Sequence, residues 1–191
     1  HILQKNKKIV LHAFTKNDCD ITKYVSVFKV IKKIKPDLII NCAGVIGIKY
    51  CQEHQDIAYK VNALGPKNIA VALKEAKLFN TIFIHPSTCY VFGSEKAAFY
   101  ETAKPHPLNF YGKTKVQGEQ FIIASLKNTQ INYYIARTGW LYSEFKDTFI
   151  DEAVEAVKKG QRYLAFADQK NTITWTKDFV YACLELAFKL R

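Results

Sequence analysis

The chain has 191 residues, 49% of them hydrophobic, and a formal net charge of +11, enough for one well-packed domain or for a domain and a fragment of a second. No apolar run approaches the roughly 18 residues of a membrane span and no charged-then-apolar leader opens the sequence, so a cytoplasmic protein with no membrane partner is expected. The positive charge suits an anionic partner, but the lysines are scattered, as around Lys5–Lys8, Lys32–Lys35 and Lys158–Lys159, with no interleaved aromatic patch. A solvated basic surface that lends some steering to a diphosphate ligand is therefore expected, and no nucleic acid.

Apolar runs alternate with helical patterns, which predicts an α/β fold with a parallel sheet covered by helices. Lys8-Ile9-Val10-Leu11 reads as a strand, and Tyr24 to Lys35 as a helix that Pro36 and Asp37 end. Leu38-Ile39-Ile40 is a short strand leading into Asn41-Cys42-Ala43-Gly44. Asp56 to Lys77 is helical on both sides of Gly65-Pro66, a pair expected to bend or split it. Thr81-Ile82-Phe83-Ile84 is the next strand, which places Ser87-Thr88-Cys89-Tyr90-Val91-Phe92-Gly93 at its carboxyl end, where open α/β sheets bind ligands. Residues 94–109 read as a surface loop, Asn132 to Ala136 as a strand, and Asp147 to Lys159 and Lys177 to Leu190 as helices around a Tyr163-Leu164-Ala165-Phe166 strand.

The five cysteines Cys19, Cys42, Cys51, Cys89 and Cys183 are odd in number, with no CxxC pair and no histidine cluster beside them. Small residues in a reducing compartment are expected, with no metal site. No GxGxxG or GxxGxxG occurs in the 191 residues, although a dinucleotide fold normally opens with a strand, a glycine-rich turn and a helix. His1 to Asn6 resembles only the end of such a helix. A sheet without its first central strand would leave a buried edge unpaired, so the glycine-rich unit is expected to precede His1.

A tyrosine followed four residues later by a lysine occurs at Tyr100/Lys104, Tyr111/Lys115 and Tyr142/Lys146. On a helix the two share a face, and the ammonium can favour the phenolate. Lys104 precedes Pro105, with Pro107 close behind, which favours an extended segment. Tyr142 follows an apolar run with no Ser/Thr patch before it. Only Tyr111 opens a plausible helix, with Asn109 as cap and Val116, Phe121, Ile122 and Leu126 as an apolar stripe. With Thr88 upstream, this is the pattern of a proton-donating oxidoreductase site.

In this order the segments resemble the extended short-chain dehydrogenase/reductase superfamily, and within it the dTDP-4-dehydrorhamnose reductase family. They are Asp20-Ile21-Thr22, Lys35 to Gly44, Val61-Asn62-Ala63-Leu64-Gly65-Pro66, the Ser87-Thr88 patch, the Tyr111 helix and Arg137-Thr138-Gly139-Trp140-Leu141-Tyr142. Asp168-Gln169 and Thr174-Trp175-Thr176-Lys177-Asp178 resemble that family's later segments. The resemblance implies a Rossmann-like doubly wound parallel sheet over residues 1–142 and part of a small substrate-binding region over 143–191, with a return to the sheet. The family continues beyond the point at which this chain stops.

Carried over by residue, the resemblance implies that Tyr111 is the general acid, that Lys115 holds the nicotinamide ribose and depresses the tyrosine pKa, and that Thr88 binds the reacting oxygen beside Ser87. Asp20 and Ile21 would flank the adenine, and Cys42, Ala43, Gly44 and Asn62 would lie against the cofactor. Tyr90 and Trp140 would line the sugar pocket. Blander roles stand beside several of these: Asp20 as a helix cap, Gly44 as a turn glycine, Asn62 as a bridge between backbone groups, Tyr90 and Trp140 as core aromatics.

Cys89 stands where the reductase pattern has an acidic residue, and the dehydratases' Asp-Glu pair is absent. Among His12 to Lys16, just beyond the Lys8-Ile9-Val10-Leu11 strand, no side chain is acidic, and Lys16 can either pair with a 2′-phosphate or stand as a solvated loop lysine, so NADPH is the expected cofactor and NADH the alternative. The implied substrate is a nucleotide sugar with a 4-keto-6-deoxy group, for surface polysaccharide, and a homodimer is an admissible assembly. The alternatives are a sugar-nucleotide epimerase and a non-catalytic subunit resembling the methionine adenosyltransferase β subunit.

Overall fold

The computed structural model describes residues 9–93, 98–145, 147–164 and 171–188. At its centre are three parallel strands, β1 (Leu38–Ile40), β2 (Ile82–Thr88) and β3 (Asn132–Thr138), in the order β1-β2-β3. β2 pairs with both neighbours, Leu38 opposite Ile82 on one side and Thr88 opposite Thr138 on the other. Side chains alternate across a strand, so β2 feeds two cores. Phe83 joins Val27 and Ile31 of α1 (Tyr24–Ile34), Ile69 and Leu73 of α4 (Gly65–Glu75), and Ile122 and Leu126 of α5 (Phe110–Leu126). Ile82 and Ile84 meet Cys183 and Ala187 of α7 (Thr176–Phe188) on the other face. Helices on both faces of a parallel sheet are the doubly wound α/β arrangement that the sequence predicts.

Between β1 and α4 lie α2 (Ile48–Glu53) and α3 (Gln55–Tyr59). After β3, β4 (Trp140–Tyr142) pairs in parallel with β5 (Ile173–Trp175), and α6 (Phe149–Lys158) lies between them in the chain.

Three expectations need correction, and a fourth holds with a shift in place. Ile9-Val10-Leu11 forms no strand: among the described residues no strand lies beside it, and Val10 is 82% exposed. Tyr163-Leu164 is likewise outside any strand. The helical run around Gly65-Pro66 is divided into α3 and α4 as expected, but the disturbance does not sit at the pair itself. The chain instead widens into a π-helical turn, Lys60–Leu64, just before the proline, which relieves the clash of the Pro66 ring with the carbonyl four residues back. Asp20 does not cap α1: its carboxylate accepts from the Thr22 amide and hydroxyl, and Lys23 holds the cap position without a side-chain bond. The expectations at His1 to Asn6, Lys8, Lys146, Ala165-Phe166, Asp168-Gln169 and residues 189–190 lie outside the described residues.

Candidate functional site

β2 ends at Thr88, and a single 3₁₀ turn, Cys89–Val91, follows at once. The Tyr90 amide donates to Thr88 Oγ1 at 3.2 Å, which fixes the hydroxyl at the head of this turn. α5 begins opposite. Asn109 Oδ1 accepts from the Gly112 amide at 2.8 Å, the cap expected from sequence. A side chain at position 112 would collide with the Tyr90 carbonyl, so this glycine lets the first turn of α5 close on the end of β2.

That approach brings Thr88, Tyr90, Tyr111 and Trp140 together. The Thr88 hydroxyl is close enough to the Tyr111 phenol to favour its ionised form. The Tyr90 and Tyr111 rings meet edge to face with centroids 6.0 Å apart, and Tyr90 Oη accepts from Trp140 Nε1 at 3.1 Å. Burial pushes the Tyr111 phenol up, and the nearby Thr88 hydroxyl opposes that rise. The expected lowering of Tyr111 by Lys115 is not found, because the lysine is engaged elsewhere: Nζ donates to the Pro86 carbonyl at 2.8 Å and lies 3.3 Å from His85 Nε2. Burial holds Lys115 down to about 8, against the opposing pull of the Glu119 carboxylate.

Two expected ligand contacts are structural instead. Ser87 turns inward and donates to Glu119 Oε1 at 2.5 Å. Glu119 also takes Arg137 through Nε and Nη2, the latter at 2.6 Å, so one buried carboxylate ties α5 to the ends of β2 and β3. Asn62 is 1% exposed and fully engaged: Oδ1 accepts from the Val45 amide, and Nδ2 donates to the Val45 carbonyl and to Thr114 Oγ1. It bridges backbone groups.

The remaining cofactor candidates lie around the end of β1 and the entry to α1. Cys42, Ala43 and Gly44 are exposed. Ile21 packs against the Gly65 position, and its carbonyl accepts from Asn68. Asp20 is partly buried beside it and 3.7 Å from Lys23. Lys16 is exposed in the turn that Asp18 closes by accepting from the Thr15 amide and hydroxyl. The Cys89 thiol meets Asn171 Oδ1 at 3.5 Å.

Sequence reasoning missed Asn41, His85, Thr114, Glu119 and Arg137. The first four are buried, and their partners are distant in the chain or on other elements. The only local signal is an acidic side chain at 119 one turn beyond Lys115, on the inward face of a helix.

The whole chain, residues 1–191, matches the family described as the RmlD substrate binding domain. It is 31% identical over 190 residues to a dTDP-4-dehydrorhamnose reductase of Aggregatibacter actinomycetemcomitans, covering 99% of this chain and 62% of that protein. It is 31% identical over 175 residues to a dTDP-4-keto-6-deoxy-D-glucose reductase of Streptomyces niveus, covering 91% and 59%. The crystal structure of the Bacillus anthracis dTDP-4-dehydrorhamnose reductase in complex with NADP superposes with a TM-score of 0.86 at 30% identity, covering 97% of this chain and 65% of that one. The chain thus spans about two thirds or less of the length of each.

Proposed function

Because the chain belongs to the RmlD substrate-binding domain family, we propose that it is part of an NADPH-dependent reductase of a nucleotide-linked 4-keto-6-deoxy sugar. The observation that carries this is the Tyr111 phenol at the carboxyl end of β2, near Thr88 and edge to face with Tyr90, whose hydroxyl accepts from Trp140. The S. niveus and A. actinomycetemcomitans relatives named above are reductases of such sugars by name.

The residues fit a reduced nicotinamide cofactor. Cys42, Ala43 and Gly44 expose backbone at the end of β1, and Lys115 brings a nitrogen to the end of β2 from α5. NADPH, when bound, supplies the hydride that reduces the carbonyl carbon. Tyr111 donates its proton to the carbonyl oxygen, which becomes the new hydroxyl. Burial raises the phenol and keeps that proton in place before transfer. Thr88, next to the phenol, positions the same oxygen and then favours the phenolate that remains. Tyr90 and Trp140 wall the sugar side. Thr138 Oγ1, opposite Thr88 in the sheet register, is the one buried side-chain oxygen or nitrogen without a partner among the described residues, which suits a polar substrate group there. In this reading residues 1–142 supply the cofactor side, and 143–191 part of the substrate side.

The test is NADPH oxidation with dTDP-4-dehydro-6-deoxy-L-mannose by the full-length protein and its Tyr111→Phe variant. Loss of the general acid is expected to slow turnover by about 10²- to 10⁴-fold. Equal turnover by the two proteins would sink the tyrosine mechanism.

A further inference from the structure

Beneath the phenol runs a buried chain of three side chains, only one of which the proposed reaction uses. Lys115 Nζ lies 3.3 Å from His85 Nε2, and His85 Nδ1 lies 3.3 Å from Asn41 Nδ2. Asn41, His85 and Lys115 are 5%, 1% and 6% exposed, so water does not mediate freely between them.

The orientation of the Asn41 amide follows from its other contact. Ala43 donates its backbone N–H to Asn41 Oδ1 at 3.2 Å, so the amide oxygen faces Ala43 and the NH₂ group faces the ring. A neutral imidazole carries one proton and one lone pair. With a donor at Nδ1, the lone pair must be there and the proton on Nε2. That N–H points at Lys115. An ammonium would set donor against donor, whereas a free amine offers its lone pair. The bond from Lys115 to the Pro86 carbonyl can be made in either protonation state and does not choose between them.

We propose that Asn41 holds His85 in its Nε2–H tautomer, so that His85 presents a donor to Lys115 and is the positioning residue that decides the lysine's protonation state. The surrounding charges agree. Burial and the neighbouring lysine push His85 down to about 2, which keeps the ring neutral. Around Lys115, α5 contributes Tyr111 one turn before and Glu119 one turn after. Glu119 pulls the lysine toward its charged form, but Arg137 of β3 already pairs with that carboxylate. β2 contributes His85. The end of β1 contributes Asn41 and, next to it, Cys42. The π-helical turn contributes the neutral Asn62, through Thr114. The consequence for turnover rests on the reductase reading: Lys115 becomes a group that gains and loses a proton within the working pH range, not a permanent cation.

The experiment is nitrogen-15 NMR of the labelled full-length protein, with His85 assigned by the signal lost in His85→Gln. Above the pH at which Lys115 titrates, the ring is expected to carry its proton on Nε2. A ring protonated on Nδ1, or on both nitrogens, overturns the proposal, and this measurement needs no variant that alters the Asn41 contact. Asn41→Asp then replaces the donor at Nδ1 with an acceptor. The ring proton should move to Nδ1, and Lys115 should bind its own proton at least about tenfold more tightly. An inverted tautomer with an unmoved lysine titration overturns the link between them. Neither readout uses substrate, so a protein without reductase activity leaves the proposal standing, and a wrong tautomer leaves the reductase reading standing.

Discussion

Helix α5 passes from a polar to an apolar interior along its length, and its two halves are held in different ways. The first half buries Thr114, Lys115 and Glu119, each bonded to a partner on another element or to its own turn, while the second half buries Ile122 and Leu126 in the cluster with Leu73 and Phe83. β2 shows the same change in the same direction, from Ile82, Phe83 and Ile84 to His85, Ser87 and Thr88. The apolar half stabilises by area removed from water and tolerates reshaping. The polar half costs desolvation and repays it only if every group is paired, which fixes its atoms in place. A proton-transfer site needs that fixity, so the carboxyl end of the sheet trades stability for position.

This comparison predicts that breaking one polar partnership costs at least as much as trimming one apolar side chain. Glu119→Ala removes the partner of Arg137 and of Ser87 together, and a buried pair broken on one side costs about 3–5 kcal/mol. The Arg137 side chain is 23% exposed, which favours the lower part of that range. Urea unfolding at neutral pH measures it; a loss under about 1 kcal/mol would place the pair among ordinary surface pairs and undo the contrast. Leu126→Ala, in the other half, should cost about 3 kcal/mol, within the usual span for a buried leucine. Because its damage stays in the apolar cluster, the pH dependence of activity should not move, and a shifted profile would show that the two halves are coupled.

The same contrast explains what the sequence discloses. Apolar runs of the right length identify β1, β2 and β3, and the Asn109 cap with Ile122 and Leu126 identifies α5. Thr88 and Tyr111 stand out because they lie at a strand end and a helix start, whereas Tyr90 and Trp140 are singled out only by the family resemblance; the fold brings the four together. His85, Asn41 and Arg137 do not stand out. Buried polar groups have no period of their own, and each takes its meaning from a partner that only the fold supplies. Ser87 and Asn62 misled for that reason: their chemistry suits ligand contact, yet Glu119 and Val45 occupy them. The π-helical turn before Pro66 was equally hidden, since the proline signals a disturbance without saying which one.

An effect of a different kind should appear in acid. His85 is held at about 2 against an ordinary value of 6.5, so between those values the unfolded chain binds a proton that the folded chain refuses. Stability therefore rises with pH across that window and falls as pH drops below 6.5, by at most about 1.4 kcal/mol per pH unit for one proton. Lys115, held at about 8 against 10.5, acts with the same sign in its own window: stability increases as pH rises from 8 to 10.5. His85→Gln should flatten the acid side of a urea midpoint against pH profile. An acid slope unchanged by the substitution would show that other groups carry it.

The smallest expected effect sits where the two halves of the argument meet, at the cap of α5. Asn109 donates nothing to the core and touches no proposed ligand; its Oδ1 accepts from the Gly112 amide alone. Asn109→Ala should therefore cost about 1 kcal/mol, the usual value for a lost N-cap. The cap, however, holds the turn that carries Tyr111, and the Tyr90 carbonyl against Gly112 leaves that turn little room. Fraying of the first turn should loosen the phenol from Thr88, lowering kcat in the reductase assay while KM stays close to wild type. Asn109→Asp or Asn109→Ser, which keep an acceptor at the cap, should restore both stability and kcat. Restored stability without restored kcat would mean that Asn109 reaches the reaction by a route other than the helix it caps.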